Sequence, residues 1–458
     1  MSYILTHFEI VFGVLITGTA LIWVLQQRRS PQSALAWILF IVTVPYLGVP
    51  LFFLLGVRRS GAHYDDIAFG SGIAGPPVHP LDDQLRRLGV PPAAPGHRLE
   101  LQSSSEAAHD ALTALVAEAE HSLDVVLYRL DADKYGVTFA RALTDAAKRG
   151  VRVRLILDQI GTWRRPRRAL WKLRQAGGEI HFFSPFPRLR ATGRFNLRNH
   201  RKMVLVDGRK IWSGGRNVGA TYLAAQDRPA TWRDLSFTLE GPVLQHYGEV
   251  FEADWANEAD WAKQTGTPAE RAIPVPPVEG SDALVQLVPS GPDMRDDGLH
   301  DMLVHAIHTA TERIWIATPY FLPTDQLFHA LVSAARLGRD VRILVPARSN
   351  QRIADFARGA YLRELEEMGC RILRYTPGMM HAKAMLFDDV AVVGSANFDI
   401  RSMLLNFETS LMLYDADQVA VLEQWFTELE SGCLEGTRPV RLPRRLAEAT
   451  FRLGAPIL

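Results

Sequence analysis

Apolar and polar positions divide the chain into a hydrophobic beginning and a long alternating remainder. From Phe8 to Leu25 the residues are almost wholly apolar, with Glu9 the one charge, at the edge. From Ala34 to Val57 there is no charge at all. A membrane span needs roughly 20 such residues, so the pattern predicts two transmembrane segments, about 8–25 and 34–57. Pro45, Gly48 and Pro50 interrupt the second and predict a kinked helix or a re-entrant dip. A cleavable signal peptide fits the first poorly, because no basic residues precede the run and no small-x-small site follows.

From Ser60 to about Leu99 the composition turns to Gly, Pro, Ala and polar residues and reads as an extended connector. An α/β pattern follows. Leu123–Tyr128 reads as a strand, Val137–Lys148 as an amphipathic helix and Val151–Leu157 as a second strand. The order recurs at Arg313–Thr318, Thr324–Leu337 and Val341–Val345. Strand–helix–strand units imply parallel pairing with a right-handed crossover. The chain therefore reads as an internal duplication, its halves joined by a Pro-rich stretch. The expected boundaries are a membrane hairpin at 1–59, a connector at 60–99, α/β domains at 100–264 and 283–436 joined by a linker at 265–282, and a basic tail at 437–458.

Each half carries one copy of a short phrase, His200-Arg201-Lys202 ending at Asp207 and His381-Ala382-Lys383 ending at Asp388. Both read H-x-K-x4-D, and each is followed by a glycine-rich loop, Gly214-Gly215-Arg216-Asn217 or Gly394-Ser395-Ala396-Asn397. One such phrase is weak evidence, since lone histidines mostly serve structure. Two copies with matched neighbours have no packing explanation. His200–Val206 reads as a strand, which puts His200 and Lys202 on one face. With the two motif strands side by side at a pseudo-two-fold axis, two imidazoles and two ammonium groups would grip a phosphate. The lysines act as point charges, Asn217, Asn397 and Ser395 as neutral donors. One imidazole can attack phosphorus while the other protonates the leaving alcohol, an imidazole pKa near ~6.5 suiting either role. The fixed cations fill the place of a divalent ion, so neither metal nor cofactor is expected.

These phrases resemble the paired motif of the phospholipase D superfamily. Asn199-His200-Arg201-Lys202, Gly214-Gly215-Arg216-Asn217, Trp232-Arg233-Asp234, Ala317-Thr318-Pro319-Tyr320-Phe321 and Asn406-Phe407-Glu408 are similar to its bacterial cardiolipin synthase branch. The likeness runs over nearly the whole chain, though Gly215 stands where many members carry Ser. It implies two pseudo-symmetric phospholipase D-like α/β/α half-domains with mixed sheets behind the membrane hairpin. It implies a membrane-bound phosphatidyltransferase that makes cardiolipin from two phosphatidylglycerol molecules through a phospho-histidine, with His200 as nucleophile and His381 as acid. The catalytic set carried over is His200, Lys202, Asp207, His381, Lys383 and Asp388, the two aspartates supporting the fold more than they react. Glu408 could orient a motif residue from behind, and Tyr320 could line the pocket mouth. Trp232-Arg233-Asp234 reads equally as support for the first half-site or as a plain ion pair. A hydrolytic phospholipase D, a nuclease of the superfamily and a non-catalytic lipid-binding scaffold are the rival functions, and the acceptor alcohol stays open.

Composition narrows the partners. A formal net charge of +1 over 458 residues leaves no basic footprint for a nucleic acid. Basic residues cluster all the same: Arg164, Arg165, Arg167, Arg168, Lys172 and Arg174 form one run, a solvated helix face on the plainer reading. Arg188, Arg190, Arg194, Arg198 and Arg201 lead into the first motif, where attraction of anionic headgroups is the better reading. Cys370 and Cys433 supply neither a disulfide framework nor metal-ligand spacing. Arg28 and Arg29 against Arg58 and Arg59 nearly balance the charge rule for orientation. The unpaired thiols and the basic catalytic region point to the cytoplasmic face of a bacterial inner membrane. The tail from Arg438 is basic and from Leu446 reads as a short amphipathic helix, either on the headgroup surface or packed on the domain.

Overall fold

The computed structural model describes residues 2–27, 31–56, 64–70, 75–183, 196–225, 231–262 and 274–453. The chain forms two units, one of residues 1–64, 184–197 and 457, the other of the remainder. In the first unit a helix spans Ser2–Gln26. Pro31–Thr43 and Pro45–Leu51 are separate helices, and Phe52–Gly56 closes in a π-helical turn. The expected second span is thus broken. Val44 precedes a proline and takes an extended φ of −136°, because the Pro45 ring crowds the helical conformation. The pieces pack around Ala20, Val24, Ile41, Val49 and Phe52. A Cβ on Gly48 would meet the Phe40 carbonyl oxygen at 2.8 Å, so this approach requires glycine. Among the described residues no helix is long and apolar enough to cross a membrane. Arg28, Arg29, Arg58, Arg59, Arg188, Arg190 and Arg194 lie outside the described residues.

The second unit is built on strands in two matched sets. The first is β1 (Ala94–Gln102), β2 (Ser122–Leu127), β3 (Arg152–Asp158), β4 (Glu179–Phe183), β5 (Lys202–Val206), β6 (Lys210–Gly214) and β7 (Ser236–Glu240). The second is β8 (Ala283–Ser290), β9 (Arg313–Ala317), β10 (Asp340–Pro346), β11 (Arg371–Tyr375), β12 (Ala384–Phe387), β13 (Val390–Gly394) and β14 (Glu408–Leu413), with β15 (Cys433–Glu435) added at the edge. The hydrogen-bonded order is β15-β11-β10-β9-β12-β13-β14-β8-β1-β7-β6-β5-β2-β3-β4. Reading outward from β1 and from β8, the two halves repeat one topology. β2, β3 and β4 are parallel, as are β9, β10 and β11, while the motif strands run antiparallel to their neighbours. The sheet is mixed as expected.

The motif strands do not pair, which corrects the side-by-side arrangement. β13, β14, β8, β1, β7 and β6 lie between β12 and β5. The halves meet in the sheet at β1 and β8, where Ala94 faces Val285 and His97 faces Ala283. His97 lies 3.2 Å from the Ala283 carbonyl through Nδ1, and its Nε2 accepts the Val243 amide at 2.9 Å. Burial pushes this ring down to about 4, so it is a neutral seam residue.

Apolar positions at helical spacing bury the crossover helices on the sheet. Leu112, Leu115, Leu143, Leu170 and Trp212 belong to one core, and Leu299, Leu303, Leu331, Tyr361 and Phe398 to the other. Helix starts are set by side-chain caps: Asp133 accepts from Tyr135 and Gly136 before Lys134–Lys148, and Thr324 from Leu327 before Asp325–Arg336. Such a cap is worth about 0.5–2 kcal/mol. The stretch expected as a connector is more ordered than its composition suggests. It holds a helix at Pro80–Arg87 and the start of β1, because buried Asp82 accepts from Arg86, Ala93 and Gln286. The C-terminal helix Leu442–Leu453 packs on Arg352–Glu367. Phe451 meets Phe356 with centroids 5.6 Å apart, Arg452 pairs with Glu364 at 2.8 Å, and buried Glu448 pairs with Arg363 and Arg444. Cys370 and Cys433 are both free thiols.

Candidate active site

Each motif histidine sits just before its strand, held there by main chain from the opposite half. The His200 amide donates to the Phe407 carbonyl at 2.9 Å, and the Phe407 amide to Arg198 at 2.9 Å. The His381 amide donates to Arg233 at 2.6 Å, and the Arg233 amide to Met379 at 2.8 Å. The residue following each bridging partner then supplies a carboxylate. Glu408 Oε2 lies 2.9 Å from His200 Nδ1, and Asp234 Oδ2 lies 2.7 Å from His381 Nδ1. The carboxylates are crossed: the first half orients the ring of the second, and the second that of the first. Asp234 is therefore a ring partner, the role that the alternative of a plain ion pair with Arg233 obscured. The signal was present in the duplication, since Asp234 and Glu408 occupy matched places at the starts of β7 and β14.

Both rings line one cavity of about 330 Å³, together with Asn217 and Asn397. Lys202, Lys383 and Ser395 stand behind that wall. Lys202 Nζ donates to the His200 carbonyl at 2.5 Å; Lys383 Nζ donates to the His381 carbonyl and lies 2.7 Å from Nδ1 of that ring. Ser395 Oγ donates to Glu408 Oε2 at 2.5 Å. The Asn217 side-chain oxygen accepts the Arg129 amide at 3.0 Å. The Gly215/Ser395 asymmetry has a steric cause, because a Cβ on Gly215 would fall 2.2 Å from Asp234 Oδ1. The shorter aspartate occupies the space that a serine would need.

Asp207 and Asp388 are not among the residues that line the cavity. Both adopt positive φ, 51° and 46°, at the turn after the motif strand. Asp207 accepts the amides of Glu120, His121 and Ser122, and Asp388 those of Thr311, Glu312 and Arg313. They pin the start of β2 and β9 beside β5 and β12.

Burial governs the electrostatics. His381 is pushed down to about 3 by burial and then by the Lys383 ammonium, against Asp234. Burial also lowers His200, opposed by Glu408 and reinforced by Lys202. Both rings therefore rest neutral at pH 7. Burial brings Lys202 down to about 7 and Lys383 to about 8, although Glu408 and Asp234 oppose it. The carboxyls of Asp234 and Glu408 are held below their usual range. Burial would raise them, but Lys383 and His381 outweigh it at Asp234, and His200 and Lys202 at Glu408. Aromatic rings close the walls: Tyr128 meets His200 edge-on at 4.7 Å, and Trp232 and Tyr222 stand 5.1 and 5.4 Å from His381. Among the described residues no group of three or more His, Cys, Asp or Glu is placed to hold a metal ion.

This geometry joins a neutral nucleophile, an acid–base partner and buried cations, a set suited to transfer at phosphorus. The comparisons agree with it. A family model described as "Cardiolipin synthase, PLD-like domain" matches residues 112–255 and 303–430, one segment in each half. A second, described as "Phospholipase_D-nuclease N-terminal", matches residues 15–56. The chain is 31% identical to Cardiolipin synthase 1 of Bacillus cereus over 478 residues, covering 98% of this chain and 93% of that protein. It is 32% identical to Cardiolipin synthase A of Pseudomonas aeruginosa over 475 residues, covering 98% and 96%. The crystal structure of phosphatidylserine synthase from Haemophilus influenzae matches with a TM-score of 0.60 at 15% identity, over 83% of this chain and 100% of that one, a likeness of fold. Duplicated topology, crossed half-sites and full-length relatives lead to one conclusion: this chain belongs to the cardiolipin synthase family built from phospholipase D-like domains.

Proposed function

We propose that the chain joins two phosphatidylglycerol molecules into cardiolipin and releases glycerol, through a phosphatidyl group held on a motif histidine. The observation that carries this reading is a pair of buried, neutral imidazoles on one cavity, each with Nδ1 engaged by a carboxylate. Nε2 is then the ring nitrogen that no carboxylate engages, with Lys383 Nζ 3.2 Å from that of His381. In the first step Nε2 of one ring bonds to the donor phosphorus, the bond to the glycerol oxygen breaks, and the other ring, which takes up a solvent proton when the anionic lipid binds beside it, gives that proton to the departing oxygen. In the second step the terminal hydroxyl of the acceptor returns a proton to that ring, its oxygen bonds to phosphorus, and the phosphorus–nitrogen bond breaks. Asp234 and Glu408 fix the tautomers and stabilise the imidazolium. Lys202, Lys383, Asn217 and Asn397 answer the charge on the non-bridging oxygens.

A lipid partner, rather than a nucleic acid, is supported beside the cavity. Ile160 lines it and is 42% exposed, Trp163 is 66% exposed and Trp171 59% exposed. Arg164, Arg167, Arg168 and Lys172, close to them in the chain, are exposed too. Indole rings among cations suit the boundary between headgroups and acyl chains. We place the enzyme at a bacterial inner membrane, which the apolar N-terminal stretch supports, with its catalytic unit facing the cytoplasm.

The test is product analysis with purified protein in phosphatidylglycerol vesicles. Cardiolipin and glycerol are expected, and His200→Ala and His381→Ala should each lower the rate on the order of a thousandfold or more. Phosphatidic acid as the main product, or cardiolipin synthesis surviving either substitution, would sink the reading.

A further inference from the structure

The middle residue of the first phrase is fully buried, and its guanidinium is braced on carboxylates from both halves of the chain. Arg201 Nη1 donates to Asp254 at 2.7 Å, from the helix Leu244–Ala262, and Nη2 lies 2.8 Å from Asp293, just after β8. Asn199 closes the first leg. Its side-chain oxygen accepts the Arg201 amide at 3.2 Å, and its nitrogen donates to Asp254 at 3.0 Å. The second leg starts beside the site, because Ser290 at the end of β8 pairs with Glu408 in β14. A Cβ on Gly291 would fall 3.1 Å from the Phe407 Cα, so the loop that carries Asp293 packs directly on the residue before Glu408.

The braced guanidinium reaches the main chain that serves His200. Nε donates to the Glu408 carbonyl at 3.3 Å, and the Phe407 ring centroid lies 5.2 Å from the guanidinium carbon. Phe407 accepts the His200 amide on its carbonyl, and Glu408 engages Nδ1 of the ring. Ser395 and Asn406 hold the Glu408 carboxylate, and Arg201 holds its backbone. The other half-site is built differently. The matched position in the second phrase is Ala382, equally buried but without a polar side chain. Asp234, the partner of His381, accepts the Leu235 amide at 2.8 Å.

A reacting ring must be held within about 0.5 Å of its working position, which takes packing and hydrogen bonds behind the groups that touch it. We infer that Arg201 is a positioning residue for the transfer: through Phe407 and the Glu408 main chain it sets the His200 ring, and it leaves His381 to its own half-site. A planar fork anchored at two corners presents its third donor in a fixed direction, which a single point charge does not. The inference rests on the transferase reading above, in which His200 takes part in the chemistry.

A double-variant cycle tests it. Removing the guanidinium outright would strand two buried carboxylates, so the substitution is Arg201→Lys, which keeps the charge and loses the fork. On phosphatidylglycerol vesicles kcat per folded protein should fall about tenfold, with KM within about twofold of wild type. In a Glu408→Gln background the same substitution should cost less than about twofold, because the carboxylate that Arg201 sets in place is already gone. An undiminished loss in that background, or a wild-type kcat for Arg201→Lys, overturns the inference. Imidazole ¹⁵N spectra supply a readout that a merely structural brace would not move selectively. Arg201→Lys should shift the resonances of His200 and leave those of His381, and shifts in both rings or in neither overturn it. If Arg201→Lys does not fold, Asp293→Asn weakens one leg of the brace and carries the same cycle and spectra, with an expected loss of about threefold. The spectra need no turnover. Wild-type protein that makes phosphatidic acid in place of cardiolipin sinks the transferase reading, while the ring shifts still decide whether Arg201 sets His200.

Discussion

Lys202 and Lys383 are buried without losing their purpose. Burial costs an ammonium its hydration, and the pair settles near 7 and 8 because Glu408 and Asp234 return only part of the loss. Sign follows directly: each lysine is a cation below its value and neutral above it. The second-order rate constant kcat/KM for phosphatidylglycerol should therefore fall as pH rises past about 7 to 8. Initial rates at subsaturating lipid from about pH 6 to about pH 10 check this, and a flat profile would refute it. A bound phosphodiester raises both lysines again, so kcat should hold to higher pH than kcat/KM.

At the scale of elements, the aspartates of the two phrases act on strands. Each turns a left-handed corner and receives three backbone amides at the head of the neighbouring strand. Asparagine tolerates that corner but offers a neutral, weaker acceptor. Asp207→Asn and Asp388→Asn should each cost about 1 kcal/mol in urea unfolding at pH 7, a figure reduced for partial exposure. Backbone hydrogen bonds outweigh burial and hold both carboxyls below their ordinary 3.8. The stabilisation is complete above that value and fades as pH falls through the lower folded one, so the variants and wild type should converge in acid. An equal deficit in acid would show that charge is not the cause. Period-two strands and crossover helices were legible in the sequence because they depend on near neighbours. The strand order was not, since β1 pairing with β8 is a contact between remote segments with no local mark. Nor was the exact start of β5, because the chain before it is held by a bridge between Asn199 and Phe407, with the His200 amide on the Phe407 carbonyl, rather than by its own hairpin.

For the whole molecule, the crossed carboxylates make the halves interdependent. The paired imidazoles were legible from duplication alone. Asp234 was not, because its partner lies 147 residues away and its neighbour Arg233 offers a plausible local mate. Imidazole ¹⁵N spectra would separate the pairs: Asp234→Asn should move the resonances of His381 and leave those of His200, and Glu408→Gln the reverse. Both rings responding equally to either substitution would contradict the crossed assignment.

The bond from His200 to Glu408 spans 208 positions. During synthesis the first imidazole leaves the ribosome long before its carboxylate exists. An emerging polypeptide thus carries an unarmed ring until a segment 208 positions downstream has also been made. Order of manufacture itself keeps a half-built catalyst idle.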